Sequence, residues 1–446
     1  MLYPKNKAKQ IDLNLFLNPT AEYRCTPFWA WNCDLKKDEL FSEIDAMEQM
    51  GMGGFHMHTR VGMSTTYLSD EYMAFIKACT ERAKEKNMLA WLYDEDKWPS
   101  GFAGGYVTKK LENRQKFLML TTTPYGDAAE AEEQIDASAL AKRANNGKLL
   151  CKYAVELDDE GYLKNYRQLK NGETAEGTVW YAYLETALEG PWFNYQTYVD
   201  TLSKPAIDDF IKITHERYKE TVGKEFGKTV PAIFTDEPQV TRKVLLDHAK
   251  DLNKDIILPF TTDLEESYRA AYGESLLEKL PEVIWNKKGV ASVTRYRYHD
   301  HVTERFVQAY CDNIGHWCQK NGIAMTGHMM EEQSLTSQTG AIGEAMRAYR
   351  NFTIPGVDIL CNTYGEFTTV KQAASAAHQY GREGVMSELY GVTNWDFDFR
   401  GHKLQGDWQA ALGVSVRVPH LYWVSMNGEA KRDYPASIGH QSAWYK

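Results

Sequence analysis

The sequence predicts an α/β protein: a (β/α)8 barrel with a small β-rich insert between its third and fourth strands. Three observations predict it. Short apolar segments of strand length alternate with amphipathic helical segments eight times. One long interruption, 113–198, replaces that rhythm with strand-like segments joined by Gly-, Asp- and Asn-bearing turns. No G-x-G-x-x-G turn follows a strand, which weakens an open doubly wound sheet as the alternative. The 446 residues leave room for a barrel of about 250 residues with long loops.

The elements follow in order. Strand one is Cys25–Trp31, and a helix at 36–50 places Leu40, Ile44, Met47 and Met50 at helical spacing before Gly51 and Gly53 stop it. Strand two is Gly54–Thr59. The helix at 69–86 starts at Ser69, a good N-cap residue. Strand three, Met88–Tyr93, runs into Asp94-Glu95-Asp96. Within 113–198, segments 115–122, 149–157 and 178–187 read as strands, and 126–147 is Ala-rich and acidic. A helix at 205–222 resumes the rhythm, with Pro205 suited to a helix start. Strand four is Pro231–Thr235, ending in Asp236-Glu237-Pro238. Helices at 264–280 and 298–320 precede strand five, Ile323–Met329. Strand six is Val357–Leu360. A helix at 369–381 leads to strand seven, Gly384–Leu389, and one at 403–413 to strand eight, His420–Ser425. The barrel is expected to use 1–112 and 199–446, and the inserted subdomain 113–198.

Composition narrows the function. The net charge of −10 argues against a chain built to hold nucleic acid or an anionic membrane. No apolar run reaches the length of a membrane span, and the N-terminus does not read as a signal peptide, so a cytoplasmic protein is expected. Seven Cys without a C-x-x-C argue against a disulfide framework or a zinc knuckle. The oligomeric state is left open.

Polar residues collect at the strand C-termini: His56 and His58, Asp94 and Asp96, Asp236 and Glu237, His328 with Glu331 and Glu332, Asp358, and Glu388. In a barrel those ends converge on one mouth. A lone acid there commonly caps the next helix. Glu237 and Glu388, however, end strands that face each other across the mouth. Paired carboxyls suit glycoside hydrolysis, one protonated to serve the leaving oxygen and one ionised to attack or to activate water.

Several stretches carry a resemblance. Pro27-Phe-Trp-Ala-Trp-Asn32, Tyr93-Asp-Glu-Asp-Lys-Trp-Pro-Ser-Gly101 with Ala103-Gly-Gly105, Thr235-Asp-Glu-Pro238, and Gly327-His328 with a following Glu resemble the catalytic region of the α-L-rhamnosidases of glycoside hydrolase family 106. The resemblance covers roughly 20–440. It implies a glycoside or oligosaccharide substrate, an inverting mechanism and a calcium ion (Ca2+) assisting sugar binding. Members of that family carry further β-rich domains after the barrel, and this sequence ends just past strand eight. Glu237 is expected as the acid and Glu388 as its partner, with Glu332 as the other candidate for that place.

Sugar contacts are expected from His56, His58, Asp94, Asp96, His328 and Asp358, with Trp98 and Trp395 as stacking platforms. Trp29 and Trp31 share one face of strand one and either enter the mouth or pack against helices. Two other readings compete. His56-x-His58 places both rings on one face, as in a metal-dependent barrel hydrolase, with His328 and Asp358 completing the ligands. A non-catalytic carbohydrate-binding barrel is the second.

Overall fold

The computed structural model describes residue 2 and residues 9–126, 141–170, 172–361, 365–427 and 434–442. Its centre is a parallel sheet curled into a barrel. The strands are one (Phe28–Trp31), two (Gly54–Thr59), three (Leu89–Tyr93), four (Ala232–Thr235), five (Ala324–Gly327), six (Ile354–Ile359) and seven (Met386–Leu389). Strand eight runs in two pieces, Val416–Pro419 and Tyr422–Trp423. Each strand pairs in parallel with its sequential neighbour. The first piece of strand eight pairs with strand seven and the second with strand one, bringing Trp29 opposite Tyr422. Thr26 N–H donates to Arg417 O and Val424 N–H to Ala30 O across the same seam. The eight-stranded barrel expected from the alternation is the architecture observed.

Alternation along the strands sorts the core. Phe28, Ala30, Trp91, Tyr93, Phe234 and Met386 fill the interior. Trp29 and Trp31 point outward, against helices. Trp29 Nε1 donates to Glu43 on helix Lys37–Gln49 at 2.6 Å, and the Trp31 ring meets Tyr72 of helix Asp70–Glu85 edge-on. The period-two reading left that choice open, and the Glu43 acceptor decides it. Each ring withdraws roughly 150–250 Å² from water. Leu40, Ile44 and Met47 form the buried stripe of the first helix, and the Ser69 side chain caps the second by accepting from Tyr72 N–H.

Helix ends depart from the periodic pattern where local chemistry interrupts it. The expected helix at 205–222 is two, Lys204–Ile213 and His215–Val222, because Thr214 turns its hydroxyl onto Phe210 O and the buried His215 ring. The one at 264–280 breaks after Tyr272, where Gly273 takes the left-handed C-cap position. The next begins at Val293, earlier than expected, because Ser292 caps it. It loosens into a π-helical turn at Val307–Asp312, which carries Tyr310 to the Thr235 hydroxyl at 2.7 Å.

A second, antiparallel sheet packs beside the barrel in the order Leu163–Leu169, Lys148–Leu157, Thr178–Thr186, Lys116–Thr121, Ile256–Pro259. Four strands come from 113–198, and the edge strand comes from beyond barrel strand four, with Leu118 opposite Leu258. Residues 127–140 of the Ala-rich stretch lie outside the described residues. Among the described residues no helix is long and apolar enough to cross a membrane.

Candidate active site

A cleft of about 220 Å³ opens at the C-terminal ends of the barrel strands. Arg60, Trp98, Asp236, Glu237, Asp358, Leu360, Glu388, His420 and Tyr434 line it.

Strand three sets the floor. The loop after it wraps around Glu95, which is fully buried. Glu95 Oε1 accepts from the N–H groups of Asp96 (2.8 Å) and Gly104 (2.6 Å), and Oε2 from those of Gly101 (2.9 Å), Phe102 (3.0 Å) and Ala103 (2.8 Å). Burial holds its carboxyl well above the usual range, with the N–H donors pulling against that shift. Ser100 ties this loop to strand four: its hydroxyl donates to Asp94 Oδ1 at 2.6 Å and accepts from Asp236 N–H at 2.9 Å. Tyr93 donates to Asp236 Oδ2 at 2.5 Å.

His328 stands at the centre. It follows Gly327, whose φ of +130° and close approach to strand four leave no space for a side chain: a Cβ there would lie 1.9 Å from Thr235 O. His328 Nε2 is 2.9 Å from Glu388 Oε2 and 3.3 Å from Asp236 Oδ1. Burial alone would lower its pKa, but the hydrogen bonds to Asp236 and Glu388 carry it well above the ordinary histidine value, so an imidazolium lies among the acids.

Glu237 and Glu388 sit in contrasting surroundings. Glu237 has a φ of +46°, a left-handed conformation that costs a non-glycine residue energy and is concentrated at functional sites. Its side chain makes no hydrogen bond among the described residues. Burial, then the neighbouring Asp236 charge, push its carboxyl up to about 8. Glu388 is also raised by burial, but the His328 hydrogen bond pulls it back, helped by Arg60. Asp358 lies beside Glu237: one oxygen of each and a His328 nitrogen all fall within 4.8 Å of one another. Burial and then Glu388 hold the Asp358 carboxyl well above the usual range, and its Oδ1 is buried without a partner among the described residues.

The expected residues divide. Glu237, Glu388, Asp358 and Trp98 line the cleft, and His328 joins its acids from just beneath. Glu332 does not line it. That residue is buried, accepting from Tyr349 OH at 2.6 Å and from Asp358 N–H at 2.7 Å, so it braces the backbone of Asp358; burial raises its carboxyl to about 7. Asp94 is fully buried against Ser100 rather than facing a ligand. Asp96 lies in a neighbouring pocket, and Trp395 stands on an exposed loop away from the cleft lining. Trp98 offers less open ring than expected, because the Arg60 guanidinium lies 4.5 Å over it.

The two strand-two histidines are interior groups. His56 packs among Phe28, Trp91 and Phe234 with Nδ1 on Thr26 O, and burial takes its pKa down to about 3. His58 turns Nε2 to Arg60 Nη1 at 2.9 Å. A nitrogen accepting from a guanidinium is not offered to a metal, and His56 and His58 are not among the residues that come together as possible metal ligands.

Those residues form two overlapping groups, Asp236–His328–Glu388 and Glu237–His328–Asp358. Calcium takes six to eight oxygens. Each group instead offers two carboxylates and one imidazole nitrogen, a donor set short of that oxygen count. As they stand, the residues do not fit the calcium ion implied by the resemblance.

Arg60 and His420 went unseen in the sequence. Arg60 Nη2 lies 3.3 Å from His420 Nε2, and His420 Nε2 lies 3.8 Å from Glu388 Oε1. Burial and then Arg60 hold His420 neutral. The signal for Arg60 was present: His56, His58 and Arg60 fall two apart, on one face of strand two, and the pattern continues one step beyond the two histidines.

No family model matches the sequence, and no curated protein matches it. Among solved structures, the chain is similar to a rhamnosidase from Novosphingobium sp. PP1Y, with a TM-score of 0.64 at 12% identity. That likeness covers 98% of this chain and 59% of the rhamnosidase, so the chain spans less than two thirds of that protein's length. The β-amylase catalytic domain from Paenibacillus polymyxa gives 0.46 at 8% identity, covering 89% of this chain and 93% of that one. The endo-β-1,4-mannanase from Thermotoga petrophila gives 0.42 at 8%, covering 95% and 73%. At 12% identity the likeness to the rhamnosidase is one of fold, and the closed round of parallel strand pairs makes the chain a TIM barrel.

Proposed function

We propose that this barrel is a glycoside hydrolase that removes a terminal sugar by paired-carboxyl catalysis. The observation that carries the reading is the contrast between Glu237 and Glu388 in one cleft. Glu237, with no hydrogen-bond donor among the described residues and beside Asp236, holds a proton to about pH 8. Glu388 is also raised by burial, but it lies 2.9 Å from His328 Nε2, a hydrogen bond that favours its ionised form. Two carboxyls whose surroundings push them apart in acidity divide into acid and partner.

In this reading Glu237 gives its proton to the glycosidic oxygen as the bond from that oxygen to the anomeric carbon breaks. Water attacks the opposite face and passes its proton to Glu388, inverting the anomeric centre. His328 keeps Glu388 oriented, and Arg60 adds a fixed positive charge at the wall. The sugar we propose is α-L-rhamnose, supported by the motif resemblance and by the fold likeness to a protein named a rhamnosidase. The test is hydrolysis of a panel of aryl glycosides, beginning with the α-L-rhamnoside, with NMR of the first-formed anomer. Turnover with an inverted product is expected. No turnover on any glycoside overturns the reading, and a retained product makes Glu388 the nucleophile.

A further inference from the structure

Lys243, Arg295 and His299 lie within electrostatic range of one another, and none of them lines the acid cleft. Arg295 and His299 stand one turn apart on one face of the helix Val293–Phe306. Lys243 comes from the segment after strand four, which is fixed by Lys243 N–H on Gly340 O and Val244 N–H on Ile257 O. The Arg295 guanidinium is pinned: Nε donates to Val283 O at 2.7 Å and Nη1 to Asn286 Oδ1 at 2.5 Å. Its Nη2 is buried and has no acceptor among the described residues.

Nothing negative offsets this cluster. Burial and then Arg295 bring the Lys243 ammonium down to about 8, and burial, then Lys243 and Arg295, bring His299 down to about 3. Among the described residues no carboxylate acts on any of the three. Asp300, next to His299 in the chain, turns to Tyr272 OH at 2.8 Å and to Arg347 at 3.0 Å. Arg295 also sits in the first turn of its helix, where the positive end of the dipole disfavours a cation and no acid is present. A buried N–H without an acceptor is costly and points to a water or an ion in its place. Water would accept the hydrogen bond but leave the repulsion between the cations. A dianion answers both, since its oxygens accept from Nη2 and from the ammonium and its charge matches the two cations.

We propose that Lys243, Arg295 and His299 form a binding site for a small dianionic oxyanion of the phosphate or sulfate kind, separate from the acid cleft. The site does not depend on the hydrolase reading above.

The experiment is calorimetric titration of inorganic phosphate, and separately of sulfate, into the whole chain in chloride buffer at constant ionic strength. Wild type is expected to bind one anion per chain saturably. Lys243→Gln should bind about tenfold more weakly or worse, having lost one charge-assisted hydrogen bond, and Lys243→Arg should restore the affinity. Lys243 is the residue to change, because its ammonium holds no other group among the described residues and its loss leaves the fold's own bonds in place. Melting curves give a second reading. Without phosphate, Lys243→Gln should melt no lower than wild type, since it loses only repulsion, and saturating phosphate should then raise wild type above it. No saturable binding by wild type, or equal affinity in wild type and Lys243→Gln, overturns the site.

Discussion

Replacing Glu95 by Gln tests how the loop after strand three is held, at a residue that does not touch the cleft. Five backbone N–H groups end on its two oxygens. A carboxyl group presents two oxygens to these donors, and a glutamine amide only one. A glutamine placed with its oxygen toward Gly101, Phe102 and Ala103 turns its NH2 group against the N–H groups of Asp96 and Gly104. The opposite flip leaves three donors unserved. The better orientation therefore strands two buried donors at about 1–3 kcal/mol each, or about 2–6 kcal/mol in all. Denaturant unfolding should show that loss. Limited proteolysis should find new cleavage within residues 95–105. Because the loop carries Trp98 and Ser100, kcat/KM should fall as well. A Glu95→Gln protein within about 0.5 kcal/mol of wild type, the range of a neutral surface change, would refute the reasoning.

Three further outcomes follow from the site. Trp98→Ala removes the ring beneath Arg60, an interaction of about 0.5–2 kcal/mol, and steady-state kinetics should show KM rising more than kcat falls. His328→Gln leaves Asp236 and Glu388 without their buried counter-charge; it should cost about 3–5 kcal/mol of stability at neutral pH, read by calorimetry, together with most of the turnover. Activity should decline on the alkaline side near pH 8, where Glu237 loses its proton. Its stability effect has the same direction. Between 4.5 and about 8 the folded chain holds a proton at Glu237 that the unfolded chain has released, so stability falls as pH rises through that window. Glu237→Gln removes that loss, and its melting temperature should exceed that of wild type at pH 9.

The barrel was legible because strand and helix periods differ, and because acids crowd the ends of its strands. Strand two matches its expected span of 54–59, since Gly53 and the apolar-polar pattern bound it sharply. Strand eight was placed late: Val416–Pro419 alternates with Arg417 and ends in Pro, so the Tyr422–Trp423 piece alone read as strand. Edge strand Ile256–Pro259 escaped because its partner, Lys116–Thr121, is remote in sequence. The Glu237 and Glu388 pair was visible from their strand ends. Which acids face the cleft and which brace it was not visible. Asp94, Glu95 and Asp96 are consecutive, yet one bonds Ser100, one collects the loop N–H groups and one enters the next pocket. That division is fixed by the path of the loop in three dimensions. His56 and His58 misled for a related reason: a barrel buries the lower residues of a strand, so the member of that pattern that reaches the cleft is Arg60.

The most direct test of the central claim is the leaving-group dependence of Glu237→Gln. Wild type and variant are compared on a natural, unactivated glycoside and on a series of aryl glycosides of falling leaving-group pKa. If Glu237 supplies the proton, the variant should lose most of its rate on the unactivated substrate and progressively less as the leaving group improves. A Glu237→Gln enzyme with wild-type turnover on the unactivated glycoside would contradict the account.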